Sequence, residues 1–111
     1  VAPVDVTITN PPFDQALPIV DRAVRSSRVG VAVLNRITWL EPTRERGPFF
    51  ERYPPTRLVV LPRWNFRSVD GKGGSDSAPP AWFIWSMQPW FCSPGVEVVT
   101  NDERDTLLSI G

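Results

Sequence analysis

Histidine is missing from this sequence altogether, cysteine occurs once, at Cys92, and lysine once, at Lys72. Without histidine, the commonest general base and the usual nucleophile–imidazole arrangements are excluded. A single cysteine rules out an internal disulfide, and with no pattern of cysteines and histidines a zinc site is not expected. No apolar run approaches the roughly 20 residues needed to cross a bilayer and no stretch reads as a signal peptide, so no membrane partner and a cytoplasmic setting are expected. There is no excess charge of either sign: 12 Lys and Arg face 12 Asp and Glu. The net field therefore argues neither for nor against nucleic acid.

What is present is unevenly spread. All the basic residues except Lys72 are arginine, and the body is mildly basic while the tail "EVVTNDERD" is acidic. Arginine suits bidentate recognition of phosphate or carboxylate, although a GC-rich coding sequence gives the same bias. A chain of 111 residues holds one domain or part of one. Beginning at Val1, it is either a product that has lost its initiator or a piece of something longer.

Along the chain, "VDVTIT" (Val4 to Thr9) reads as a β-strand stopped by Asn10-Pro11-Pro12. "FDQALPIVDRAVRSS" follows with a helical stripe at Ala16, Leu17, Ile19, Val20, Ala23 and Val24, Asp14 placed to cap it and Pro18 in its first turn. "VGVAVLN" (Val29 to Asn35) is the continuous apolar run of a buried strand, so the opening order is strand, helix, parallel strand. A short helix is expected around Thr43 to Tyr53, weakened by Gly47-Pro48, then a strand at "TRLVVLP", a long loop over Arg63 to Pro80, and an aromatic strand "AWFIWS". Beyond it, Val96 to Thr100 is one further short strand. The reading divides the chain into a body of residues 1–90 and an acidic extension of residues 91–111.

Ligands in open α/β sheets sit beyond the carboxyl ends of the strands, which is where Asn10 to Phe13 fall. Arg36, Trp39 and Arg44 follow the second strand's end and either line the same cleft or belong to an ordinary loop. Arg63, Trp64, Phe66, Arg67 and Lys72 mix cations with aromatics, as on a surface that touches nucleic acid, or pack within their own loop. Trp82, Phe83 and Trp85 are expected in the core.

The stretches "DVTITNPPF", "VGVAVLNRITWLEPTRERGPFFERYPPTRLVVLPR" and "GGSDSAPPAWFIWS" resemble the catalytic half of phage and restriction-type DNA adenine-N6 methyltransferases, over about Asp5 to Ser86. The resemblance implies the later strands of a Rossmann-like methyltransferase sheet, mostly parallel with the aromatic strand antiparallel. It implies that Asn10, Pro11, Pro12 and Phe13, matching the family's Asn/Asp-Pro-Pro-aromatic motif, are the catalytic residues, with Asn10 also meeting the cofactor, S-adenosylmethionine. Double-stranded DNA, methylated on adenine, is the implied partner, in a bacterial cell or a phage-infected host. Asp76 and Ser77 are implied contacts of the target base or its strand, as Arg36, Trp39 and Arg63 are candidate substrate contacts. A strand-ending turn with Phe13 packed in the core explains the motif without chemistry.

The sequence departs from the family in one respect that matters. It has no acidic-Phe-Gly-x-Gly loop after a first strand and no acidic residue after a second, and "GKGG" (Gly71 to Gly74) opens no evident helix. The cofactor is thus not expected to bind this chain alone. Either a cofactor-binding half or self-association is expected to complete the sheet beside the strand that bears Asn10. The alternative is a non-catalytic methyltransferase-like module that binds DNA or protein.

Overall fold

The computed structural model describes residues 4–63 and 78–100, together with the backbone of residues 65–67 and 73–75. Strand β1 (Val4–Thr9) leads through a 3-10 turn (Phe13–Gln15) into helix α1 (Ala16–Ser26) and strand β2 (Ser27–Arg36). A second 3-10 turn (Ile37–Leu40) precedes helix α2 (Arg46–Arg52) and strand β3 (Arg57–Val60). Two short strands, β4 (Asn65–Arg67) and β5 (Gly73–Ser75), pair antiparallel with each other, and β6 (Pro80–Ser86) and β7 (Gly95–Val98) complete the order.

The architecture is α/β around a five-stranded mixed sheet in the order β1-β2-β6-β3-β7. β1 pairs parallel with β2, and β3 with β7, while β6 runs antiparallel between β2 and β3. The expected parallel neighbours and the expected antiparallel aromatic strand are therefore both present. β7 lies inside the region read from sequence as an extension, yet it is an integral strand of the sheet. It also sits beside β3, at the edge opposite β1, so it is not the strand that covers β1.

Side-chain alternation divides the sheet into two unlike faces. Val31 and Val33 of β2 stand opposite Trp85 and Phe83 of β6, and this face buries Ala16, Val20, Ala23 and Val24 of α1 and Phe49 of α2. Ile19, expected within the buried stripe of α1, is exposed, since it lies one position before Val20, which faces the core. At the centre of the core, Trp39 meets Phe50, Phe83 and Trp85 edge-on, with centroids 5.1, 5.2 and 6.4 Å away. The Trp85 indole N–H donates to the Tyr53 carbonyl at 2.8 Å, which satisfies that buried donor. On the opposite face Ala32, Leu34, Trp82 and Ile84 are only half-buried. There the Phe91 ring lies directly on Gly30, where a Cβ would fall inside the ring.

Helix α2 starts later than its sequence suggests. Thr43 Oγ1 accepts the Arg46 amide at 3.2 Å, and the Gly47 amide donates to the Thr43 carbonyl at 2.7 Å, so residues 43–45 form the turn that launches the helix. Pro48 then falls in the first turn, where its missing N–H has no intrahelical partner to lose.

Candidate functional site at the carboxyl edge of the sheet

The ends of β1 and β2 lie side by side. Thr9, the last residue of β1, is level with Val33, and β2 continues from there to Arg36. β1 stops because Pro11 and Pro12 supply no amide to a ladder. The Pro12 carbonyl accepts the Gln15 amide at 3.0 Å, which closes the turn into α1. Pro11 is buried, whereas Asn10, Pro12 and Phe13 are exposed, Phe13 at 40%. No described residue donates to the Asn10 carboxamide, so its carbonyl oxygen is free to accept. Phe13 is outside the hydrophobic core, which removes the simplest non-chemical explanation for an aromatic at this turn.

Two residues that the sequence did not single out join this edge. Asn35, at the end of β2, is only 8% exposed; its Oδ1 accepts the Arg36 amide at 2.9 Å, and its Nδ2 has no partner. A buried donor left unpaired is unusual enough to mark the spot. The second is Arg46, whose guanidinium carbon lies 5.2 Å from the centroid of the Phe13 ring. Its Nε–H donates to Thr43 Oγ1 at 3.2 Å, so one threonine holds both the backbone and the side chain of Arg46. The only sequence signal for this pairing is Thr-x-x-Arg at a helix start after a strand end, a spacing too common to notice alone.

The other sequence candidates divide. Arg36 is exposed at the end of β2, and Arg44 is exposed in the turn before α2. Arg63 is exposed just past β3, which is parallel to β2, so it sits at the same edge, three strand spacings or about 14 Å from the line of β1. That distance suits contact with a polymer flanking the turn better than contact with one small group at Asn10. Trp39 is not a cleft residue: it is 1% exposed at the centre of the core, because the short 3-10 turn folds it back under α2. Of the aromatic strand, Phe83 and Trp85 are core and Trp82 is half-buried on the other face. Asp76, Ser77, Trp64 and Lys72 lie outside the described residues, as do the side chains of Phe66 and Arg67. The strand that follows Asp76 and Ser77 does start at this edge, with Pro80 opposite Arg36 and the Ile37 amide donating to the Pro79 carbonyl at 2.9 Å.

S-adenosylmethionine does not fit what these residues offer. The turn that leaves β1 contains two prolines and no glycine, so it presents few amides to a carboxylate or a ribose, and among the described residues β1 has no strand on its free side. Among the described residues no group of His, Cys, Asp and Glu could hold a metal ion, and no helix is long and apolar enough to cross a membrane. No protein-family model, no curated protein and no solved structure matches this chain.

Proposed function

We propose that this chain is the amine-positioning part of a DNA adenine-N6 methyltransferase, with the S-adenosylmethionine site supplied by another polypeptide segment. The observation that carries the reading is the exposed Asn10 carboxamide, with no hydrogen bond to a described residue, one residue beyond a strand's carboxyl end and three before an exposed aromatic. The exocyclic nitrogen of adenine is a poor nucleophile because its lone pair is delocalised into the ring. If Asn10 Oδ1 and the Pro11 carbonyl each accept one of its N–H groups, the nitrogen can pyramidalise and localise its lone pair for attack, and the surplus N–H proton passes to water once the new N–C bond has formed. Acceptors fixed before reaction stabilise the charge that develops there and cost no reorganisation. Proline at positions 11 and 12 stiffens the turn and offers no competing donor. Phe13 supplies a stacking surface for a base taken out of the duplex, as chemistry on a paired base requires. The cofactor, when held by its own half, supplies the electrophilic methyl group.

The test is tritiated-methyl incorporation into an adenine-containing duplex by the native assembly, with duplex binding and thermal melting measured beside it. Asn10→Ala should abolish most transfer and leave folding and duplex affinity almost unchanged, since it removes an interaction made mainly on the way to the transition state. Asn10→Asp should be milder because a carboxylate oxygen still accepts the N–H. If Asn10→Ala melts the fold while the folded fraction keeps full specific activity, the turn is structural and the reading fails. The absence of a cofactor cradle favours a second reading, a methyltransferase-like module that binds DNA without transferring methyl groups. It predicts that Asn10→Ala changes nothing but a modest binding term.

A further inference from the structure

We propose that Arg46 is a phosphate-binding residue for the nucleotide that Phe13 receives, held ready by Phe13 and Thr43. The proposal rests on the nucleotide reading of the site and adds to it a residue, a ligand group and a geometry. Phe13 and Arg46 are far apart in sequence, and the two turns that launch α1 and α2 bring them together. The guanidinium lies with its carbon over the Phe13 ring, and its Nε–H is spent on Thr43 Oγ1. Its terminal N–H groups remain, and no described carboxylate takes them.

Other arginines show what a committed guanidinium looks like here. Arg25 pairs with Asp21 at 2.9 Å, Arg28 with Asp5 at 3.0 Å and Arg57 with Glu97 at 2.7 Å. Arg46 has acidic neighbours in sequence, Glu41 and Glu45, yet forms no ion pair with either. What it does have is a fixed orientation. A planar fork oriented by an aromatic face and a hydroxyl has already lost much of the rotamer freedom that binding would otherwise cost. Such a fork matches the paired oxygens of a phosphate, and a lysine at the same place would offer only a point charge. Arg46 lies over one face of the Phe13 ring, 5.2 Å from its centroid, which leaves the other face for a base, and a base and its phosphate are one sugar apart. One nucleotide can therefore meet both residues, base to Phe13 and phosphate to Arg46.

The experiment measures binding of the full 111-residue chain to a labelled single strand carrying one adenine, and to the same strand abasic at that position, over a salt series. Arg46→Gln should weaken both strands equally, by about tenfold, and lower the slope of log affinity against log salt by about 0.7, one phosphate contact on a single strand. Arg46→Lys should restore the slope but not the full affinity, and Thr43→Val should weaken both strands while keeping the slope. Phe13→Ala should weaken only the adenine strand. An unchanged slope in an Arg46→Gln protein that melts normally would overturn the proposal. So would a loss confined to the adenine strand, or a native chain that binds neither strand. Free adenosine monophosphate and inorganic phosphate are run as competitors: the nucleotide should displace the strand more effectively than phosphate, and inorganic phosphate displacing it at the strand's own affinity would also overturn the proposal. If the native chain shows no preference for adenine but the Arg46 slope effect holds, base capture at Phe13 fails and the phosphate contact stands.

Discussion

Phe13 and Trp39 are both aromatics a few residues past the carboxyl end of a strand, and they have opposite surroundings. Phe13 is 40% exposed and touches a cation, whereas Trp39 is 1% exposed and touches only other rings and the core. The difference predicts a clean separation of effects. Trp39→Ala removes the centre of an aromatic cluster and should cost about 3–5 kcal/mol, as burial-dependent truncations do. Phe13→Ala should change stability by no more than about 0.5 kcal/mol, as surface substitutions usually do. It should weaken capture of an unpaired adenine by roughly 1–3 kcal/mol, the typical worth of one aromatic stacking contact. Chemical denaturation reads the first quantity, and the fluorescence of a 2-aminopurine placed at the target position reads the second. A large stability loss in Phe13→Ala would return that residue to a packing role and remove the stacking surface from the proposed mechanism.

At the scale of elements, the two faces of the sheet differ in how they are filled. One is covered by α1 and α2, while the other depends on side chains from connecting segments, most visibly Phe91 on Gly30. Valine is a better strand residue than glycine on propensity alone, yet at position 30 its side chain would displace that ring. Gly30→Val should therefore destabilise by about 1–3 kcal/mol, and the penalty should largely vanish in a Phe91→Ala background. A double-mutant cycle in urea measures this coupling directly. Equal penalties in both backgrounds would mean that Phe91 does not rest there. β1, β2, β3 and β6 were legible in the sequence because each is a run of β-branched or aromatic residues ended by proline or polar residues, a signal carried by neighbours along the chain. Trp39 was not, because a four-residue 3-10 turn is too short to show any periodicity, and its burial is decided by α2 and β6. The Asn10 to Phe13 turn was visible as a motif at a strand end. Arg46 was not, since its role depends on a contact across the fold with Phe13, and Asn35 was hidden because it reads as the last residue of an apolar strand.

For the whole molecule, the described sheet ends in two edge strands, β1 and β7, and both expose apolar side chains, Val96 and Val98 on β7. Among the described residues β1 pairs with β2 alone, and Val6 and Ile8 of β1 stand exposed, Ile8 at 70%. Parallel strands are ordinarily buried on both faces and flanked by further strands, and an apolar edge left open is a template for pairing. Of the two edges, β1 is the one that delivers Asn10, so whatever pairs with β1 lies next to the proposed chemistry. Two consequences follow together. Sedimentation should show the isolated chain associating as its concentration rises, and Ile8→Lys should keep it monomeric with little change in melting, because a charge on an exposed edge strand blocks pairing without disturbing the core. A chain that stays monodisperse and monomeric at every concentration would show that β1 needs no cover. Calorimetry on the isolated chain should show weak binding of S-adenosylmethionine or none, because the proline turn leaves few free amides and no described strand lies on the free side of β1 to carry a cradle. Micromolar binding by the chain alone would show that the cofactor site lies elsewhere in these residues. If binding instead appears only when a cofactor-binding segment is added, and Ile8→Lys abolishes it while Asn10→Ala does not, then the open edge is the assembly joint and Asn10 acts after assembly, on the amine.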